Sequence, residues 1–176
     1  MGVDKAFLDF GGRTLLDRAI AVLSEACDEV AIVGDAAKFV GRGAVVSDRY
    51  PGCGPLAGIH AALLHSSADL NLVMAVDMPF VSHQLLRFLF ETAAETGAIV
   101  VVPRTTRGFQ PLCAVYRRAF AATAEAALKA GKYKIDTLFA GVAVRIVEEG
   151  ELARAGFSES MFFNVNTPDD LRTAKP

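Results

Sequence analysis

No stretch of this chain stays apolar for the roughly 18 residues that a membrane-spanning helix needs. The start, Met1-Gly2-Val3-Asp4-Lys5, has no apolar run of the kind a secretory signal requires. Ala6 also stands where a myristoylation motif needs Ser or Thr. Cysteine is scarce: Cys27, Cys53 and Cys113 form an odd set without metal-type spacing. That argues against a disulfide framework and for a reducing cytoplasm. Histidine is equally sparse. His60, His65 and His83 all fall in predicted helices, and His60 and His65 are not at the i, i+4 spacing that shares a face, so all three read as structural. An excess of one charge is missing too: 18 Lys and Arg against 20 Asp and Glu leave a net charge of −2. Neither nucleic acid nor an anionic membrane surface is expected as a partner on that balance. There is no internal repeat, low-complexity tract or linker.

What is present is a chain of 176 residues, 52% hydrophobic, with enough apolar material for a sizeable core. It is expected to be one domain. The run Leu72, Val73, Met74, Ala75, Val76 has no alternation, which predicts a strand buried on both faces at the centre of a parallel sheet. The run stops at Asp77, and Pro79 has no N–H to extend a ladder. Before it, Thr14 can cap a helix with Leu15, Leu16, Ala19, Ile20 and Leu23 at helical spacing. Strands are predicted at 30–33 and 44–46. Pro55 follows a loop with two glycines and two prolines and suits the first position of a helix through Leu56, Ile59 and Leu63. Ser82 can cap a helix that Gly97 stops. Residues 99–102 read as a strand, 104–110 as a polar loop, 112–116 as an apolar segment, 117–130 as an Ala-rich helix and 142–147 as a half-exposed strand. Thr167, Pro168 and Asp170 are close to a capping box and predict a short last helix. This alternation predicts a three-layer α/β fold with a largely parallel sheet.

In such folds ligands bind where strands end. Four segments lie at predicted strand ends: 48–54, Asp77, 104–110 and Asn164-Val165-Asn166. Asp77 suits either Mg²⁺, which prefers hard oxygen donors, or a cap on the next turn. The glycines before Pro55 suit either close approach of a ligand to a helix start that favours anions, or an ordinary tight turn. Asn164 and Asn166 alternate and point to opposite faces. Lys5 suits a phosphate or a solvated surface. No Ser–His or Cys–His pairing is evident. The set favours phosphoryl or nucleotidyl transfer, which is mostly positioning and charge neutralisation, over acyl transfer.

Gly2-Val3-Asp4-Lys5-Ala6, Pro51-Gly52-Cys53-Gly54-Pro55-Leu56-Ala57-Gly58, Asp77-Met78-Pro79-Phe80 and Asn164-Val165-Asn166-Thr167-Pro168 together resemble the molybdenum cofactor guanylyltransferases. The likeness runs nearly end to end and in order. It implies a Rossmann-like fold of the nucleotide-diphosphosugar transferase type. It also implies transfer of GMP from GTP to molybdopterin with Mg²⁺ and release of pyrophosphate. By the same resemblance Asp77 is the metal and nucleotide-site aspartate and Lys5 the phosphate-contacting lysine. Asp48 helps hold the nucleotide, and Gly34 lies near it at the end of the second strand. Asn164 and Asn166 stand at the reacting end, while Gly54, Pro55 and Gln110 take the molybdopterin side. Molybdoenzymes or their chaperones are the implied protein partners.

That family opens with a buried strand and a loop of the pattern Leu-Ala-Gly-Gly-x-Ser-x-Arg ahead of Met-Gly-x-Asp-Lys, and this chain starts at that Met. The expectation is a nucleotidyltransferase domain over residues 1–176 that lacks this first strand and loop. Its neighbouring strands should then expose apolar surface. Three rival readings remain: a cytidylyltransferase acting on the same pterin, a sugar-1-phosphate nucleotidyltransferase, and a pterin-binding module without catalysis.

Overall fold

The computed structural model describes residues 4–165 and residue 170. In chain order the elements are α1 (Leu15–Ser24), β1 (Ala31–Val33), β2 (Ala44–Val46), α2 (Pro55–His65), β3 (Leu70–Met74), α3 (His83–Glu95), β4 (Val100–Thr105), β5 (Gly108–Phe109), β6 (Cys113–Arg117), α4 (Phe120–Lys129), β7 (Val144–Glu148) and α5 (Glu149–Arg154). A 3-10 turn (Lys5–Phe7) precedes them. The expected caps form. Thr14 Oγ1 accepts the Asp17 N–H at 3.1 Å to start α1, and Ser82 Oγ accepts the Leu85 N–H at 3.3 Å to start α3. Pro55 is the first residue of α2. The expected last helix begins at Thr167 and Pro168, outside the described residues.

Strand alternation sorts the core into two layers. Val100, Val102, Ala114 and Tyr116 point to one face and pack with Leu56, Ile59 and Leu63 of α2 and Phe120, Ala124 and Leu128 of α4. Val101, Cys113, Val115 and Val147 point to the other and pack with Leu85, Leu86 and Leu89 of α3 and Leu152 of α5. The result is the expected three-layer α/β arrangement of Rossmann-like type.

Two expectations are corrected. The sheet is not mostly parallel. β6 lies between β3 and β4 and runs antiparallel to both, β5 is antiparallel to β4, and only β7 joins β4 in parallel. A parallel return needs a crossover of a dozen or more residues, and the short path from β4 through β5 to β6 is too brief for one. β3, β4 and β7 still point the same way. Nor is β3 buried at the sheet's centre. Among the described residues it pairs with β6 alone and forms the edge of the five-stranded sheet, and its residues are half-buried. β1 and β2 pair in parallel as a separate small sheet under α2. The stretch read as a polar loop over 104–110 is largely a hairpin, because Arg104 pairs with Phe109 and Thr105 with Gly108.

These directions put the ends of β3, β4 and β7 and the start of β6 on one edge. The short connection from α2 to β3 brings the head of α2 to that edge as well.

Candidate active site

Lys5 reaches the site through the 3-10 turn. The Asp4 carboxylate accepts the Ala6 N–H at 3.0 Å and fixes the turn's start. Ala6 is buried against Leu16 and Phe39, which leaves Lys5 on the solvent side. Its Nζ lies 3.6 Å from Asp77 Oδ2, with the lysine side chain 47% exposed and the aspartate 16%. Asp4 also pairs with Lys38.

Asp77 sits in the turn after β3, and three neighbours hold that turn. Arg18 of α1 donates from Nε to the Pro79 carbonyl at 2.5 Å. The same guanidinium lies over the Phe10 ring at 5.2 Å, and Phe10 meets Phe80 edge-on at 5.6 Å. From the other end of the chain, the Val165 N–H donates to the Asp77 carbonyl at 2.8 Å, which sets Asn164 beside Asp77 with its side chain exposed. The Ala75 N–H donates to the Leu112 carbonyl at 2.8 Å and docks the turn of Gln110, Pro111 and Leu112 on the end of β3. The Gln110 amide donates to Thr105 Oγ1 at 3.2 Å.

Lys5, Asp77, Asn164 and the Gln110 turn are thus brought to one edge, although their sequence positions are far apart. The other candidates are not bonded into this group. Asp48 spends one carboxylate oxygen on the Tyr50 N–H at 2.7 Å. Gly34 follows β1 and donates its N–H to the Val46 carbonyl at 3.0 Å. A Cβ there would come within 2.6 Å of the Phe39 ring, so an alanine would force the ring or the end of β1 to shift. These two residues connect to Asp77 through apolar packing, since Ile32 of β1, Val45 of β2 and Val76 gather on the Ala6, Leu16 and Phe39 cluster. Gly54 heads α2 with φ +71°, and no side chain caps that helix. Asn166 lies outside the described residues.

Among the described residues no group of three or more His, Cys, Asp or Glu could cage a metal ion. Asp77 offers one accessible carboxylate. That fits Mg²⁺, which keeps several waters and binds through one or two carboxylates plus substrate phosphates. Burial pushes the Cys113 thiol up to about 12 and also raises Cys27, so neither of these two offers thiolate chemistry. His83 is tied to Glu25 at 2.8 Å.

The sequence does not single out Arg18, and it marks the hairpin residues Thr105 and Arg107 only as part of the 104–110 candidate segment. The Arg18 bond spans 61 positions, and nothing local announces it. Within the 104–110 segment, the Gly108 turn between two β-prone stretches is the signal that marks a hairpin tip.

Comparison with known proteins adds to this geometry. Residues 1–145 match the family model described as the MobA-like NTP transferase domain. A probable molybdenum cofactor guanylyltransferase of Pelotomaculum thermopropionicum is 40% identical over 177 residues, spanning 99% of this chain and 85% of that protein. The crystal structure of molybdopterin-guanine dinucleotide biosynthesis protein A from Archaeoglobus fulgidus superposes with a TM-score of 0.85 at 30% identity, covering 98% of this chain and 89% of that one. The 2-C-methyl-D-erythritol 4-phosphate cytidylyltransferase of Thermus thermophilus superposes with a TM-score of 0.70 at 24% identity over 99% of this chain and 97% of that one, a likeness of fold alone.

Proposed function

The chain belongs to the MobA-like NTP transferase family, and from that premise we propose that it transfers GMP from GTP to the terminal phosphate of molybdopterin, giving the guanine dinucleotide and pyrophosphate. One observation carries the reading beyond family membership. A lysine and an aspartate stand 3.6 Å apart at a strand end, with the Asn164-Val165 backbone bonded to that same aspartate.

A phosphate oxygen of the pterin attacks the α-phosphorus of GTP in line, and the new P–O bond forms as the bond to the bridging oxygen breaks. Pyrophosphate leaves with that electron pair. The attacking phosphate is already ionised, so no general base is needed. Catalysis then consists of positioning and charge neutralisation. Lys5 supplies a fixed positive charge for the phosphates. The Asn164 amide, with Asn166, orients groups at the reacting end, and Asp48 and Gly34 lie on the nucleotide side. Gly54, Pro55 and Gln110 take the pterin side. Asp77 would hold Mg²⁺, which when bound neutralises charge developing on phosphate oxygens. The reaction belongs in the cytoplasm, with molybdoenzymes or their chaperones taking the product.

The test is formation of the dinucleotide and pyrophosphate from GTP, molybdopterin and Mg²⁺. Asp77→Ala is expected to lower turnover by about 100-fold or more with an unchanged melting temperature; near-normal turnover removes Asp77 from the mechanism. CTP in place of GTP tests the cytidylyl alternative, and pterin binding without transfer would leave only a binding module.

A further inference from the structure

The β4–β5 hairpin does more than carry Gln110 to the edge of the sheet. Its tip reaches across to the segment that leads into Asn164. Thr106 Oγ1 donates to Glu159 Oε1 at 2.5 Å. The Arg107 guanidinium lies over the Phe163 ring with Cζ 4.2 Å from its centre, and Phe163 is the residue before Asn164. The Glu159 carboxyl is held below the usual carboxylate range, first by the Thr106 hydroxyl and further by the Arg107 charge. Inside the hairpin the Thr105 hydroxyl, itself buried, accepts both the Arg107 N–H at 3.2 Å and the Gln110 side-chain amide at 3.2 Å. A continuous set of contacts therefore runs from Gln110 through Thr105 and Arg107 to Phe163, and from the adjoining backbone to Asp77 through the Val165 N–H.

We infer that Arg107, stacked on Phe163, is a positioning residue that fixes Asn164 against the Asp77 turn, and that the hairpin couples the Gln110 side of the site to the Asn164 side. The catalytic half of this inference rests on the guanylyl-transfer reading; the clamp itself does not. Phe163 is 41% exposed, and the guanidinium lies over one of its faces. A ring this exposed gains little from core packing. As the seat for a cation supplied by the hairpin it has a purpose, because the backbone just beyond it is held by bonding to Asp77.

Two measurements test it. The first is hydrogen exchange at the Val165 amide, followed by NMR in the full chain. Removing an exposed cation–π contact in Arg107→Ala is expected to speed exchange by about three- to fivefold. Arg107→Lys keeps a cation over the ring and should restore most of the protection. The second is steady-state transfer with GTP and molybdopterin. Arg107→Ala should lower kcat by about three- to tenfold through misplacement of Asn164, with KM for GTP unchanged. In an Asn164→Ala background the same change should have no further effect. An undiminished effect in that background would mean that Arg107 touches substrate itself and would overturn the positioning role. Unchanged Val165 exchange in Arg107→Ala would overturn the clamp. If the unmodified chain fails to transfer GMP while Val165 exchange responds as expected, the clamp stands and the guanylyl-transfer reading falls.

Discussion

Gly34 shows how a residue can carry two explanations that a substitution separates. Its backbone N–H is bonded to Val46, and its missing Cβ leaves room for the Phe39 ring, which would otherwise meet it at 2.6 Å. Gly34→Ala forces that ring or the β1 end to shift and is expected to cost about 1–3 kcal/mol, read as a lower denaturation midpoint. Phe39→Leu in the same chain should recover most of the loss. If Gly34→Ala instead leaves stability intact and raises KM for GTP, the glycine serves the nucleotide and not the ring. Asp77 and Lys5 behave differently. Asp77 was legible as a carboxylate that stops an apolar run at an element's end, whereas Lys5 stood out only through the family resemblance. Arg18 was illegible for the opposite reason. It sits on a helix turn like any solvated arginine, and its partner is a backbone carbonyl, which no sequence pattern distinguishes.

At the scale of elements, helical periodicity with an end signal identified α1, α2 and α3, and a run of β-branched residues identified β4. Hydrophobic patterning misplaced β3 at the sheet's centre and left β6 as an unassigned apolar segment. A short apolar run looks alike whether it pairs in parallel or antiparallel, and whether it lies at the centre or the edge of a sheet, so the direction of β6 had to come from connection length. The head of α2 gives the element-scale prediction. Gly52 and Gly54 both adopt positive φ, at +81° and +71°, and a Cβ at either would meet open space. Alanine at each should therefore be strained by its positive φ alone, and at Gly54, whose ψ of −163° puts it in a region almost reserved for glycine, by about 1–3 kcal/mol. Gly54 alone is the N-cap of α2, where under the proposed reading close approach of a ligand to the helix start would require a bare backbone. Gly54→Ala is expected to raise the substrate KM well beyond Gly52→Ala, by more than any difference in their melting temperatures accounts for. Equal KM values for the two variants would reduce the loop to an ordinary turn.

For the whole molecule, the near-neutral net charge leaves pH dependence to individual groups, and His60 has a shifted pKa whose window lies next to neutrality. It is 1% exposed on α2, its ring lies edge-on to Tyr50 at 5.4 Å, and its Nδ1 has no hydrogen-bond partner. Burial pushes its pKa down, and the charges of Arg49 and Lys129 add to that while Glu125 and Asp48 oppose it. The sign follows from linkage. An unfolded chain takes up the proton as pH falls through about 6.5, whereas the folded chain resists until its own lower value. The stability that His60 contributes in its neutral form is therefore complete above about 6.5 and is lost as pH falls toward the folded pKa. Asp17, Glu125 and Glu159, whose pKa values are lowered by their partners, lose their contributions only below the usual carboxylate range, near about pH 4. The two windows are thus separate. Thermal melts between about pH 7.5 and about pH 5.5 should show the melting temperature falling with pH, and His60→Leu should flatten that slope. At the upper end the same variant should be no less stable, because it removes a buried nitrogen without a partner. An undiminished slope in His60→Leu would move the pH response to another group and leave the imidazole as packing only.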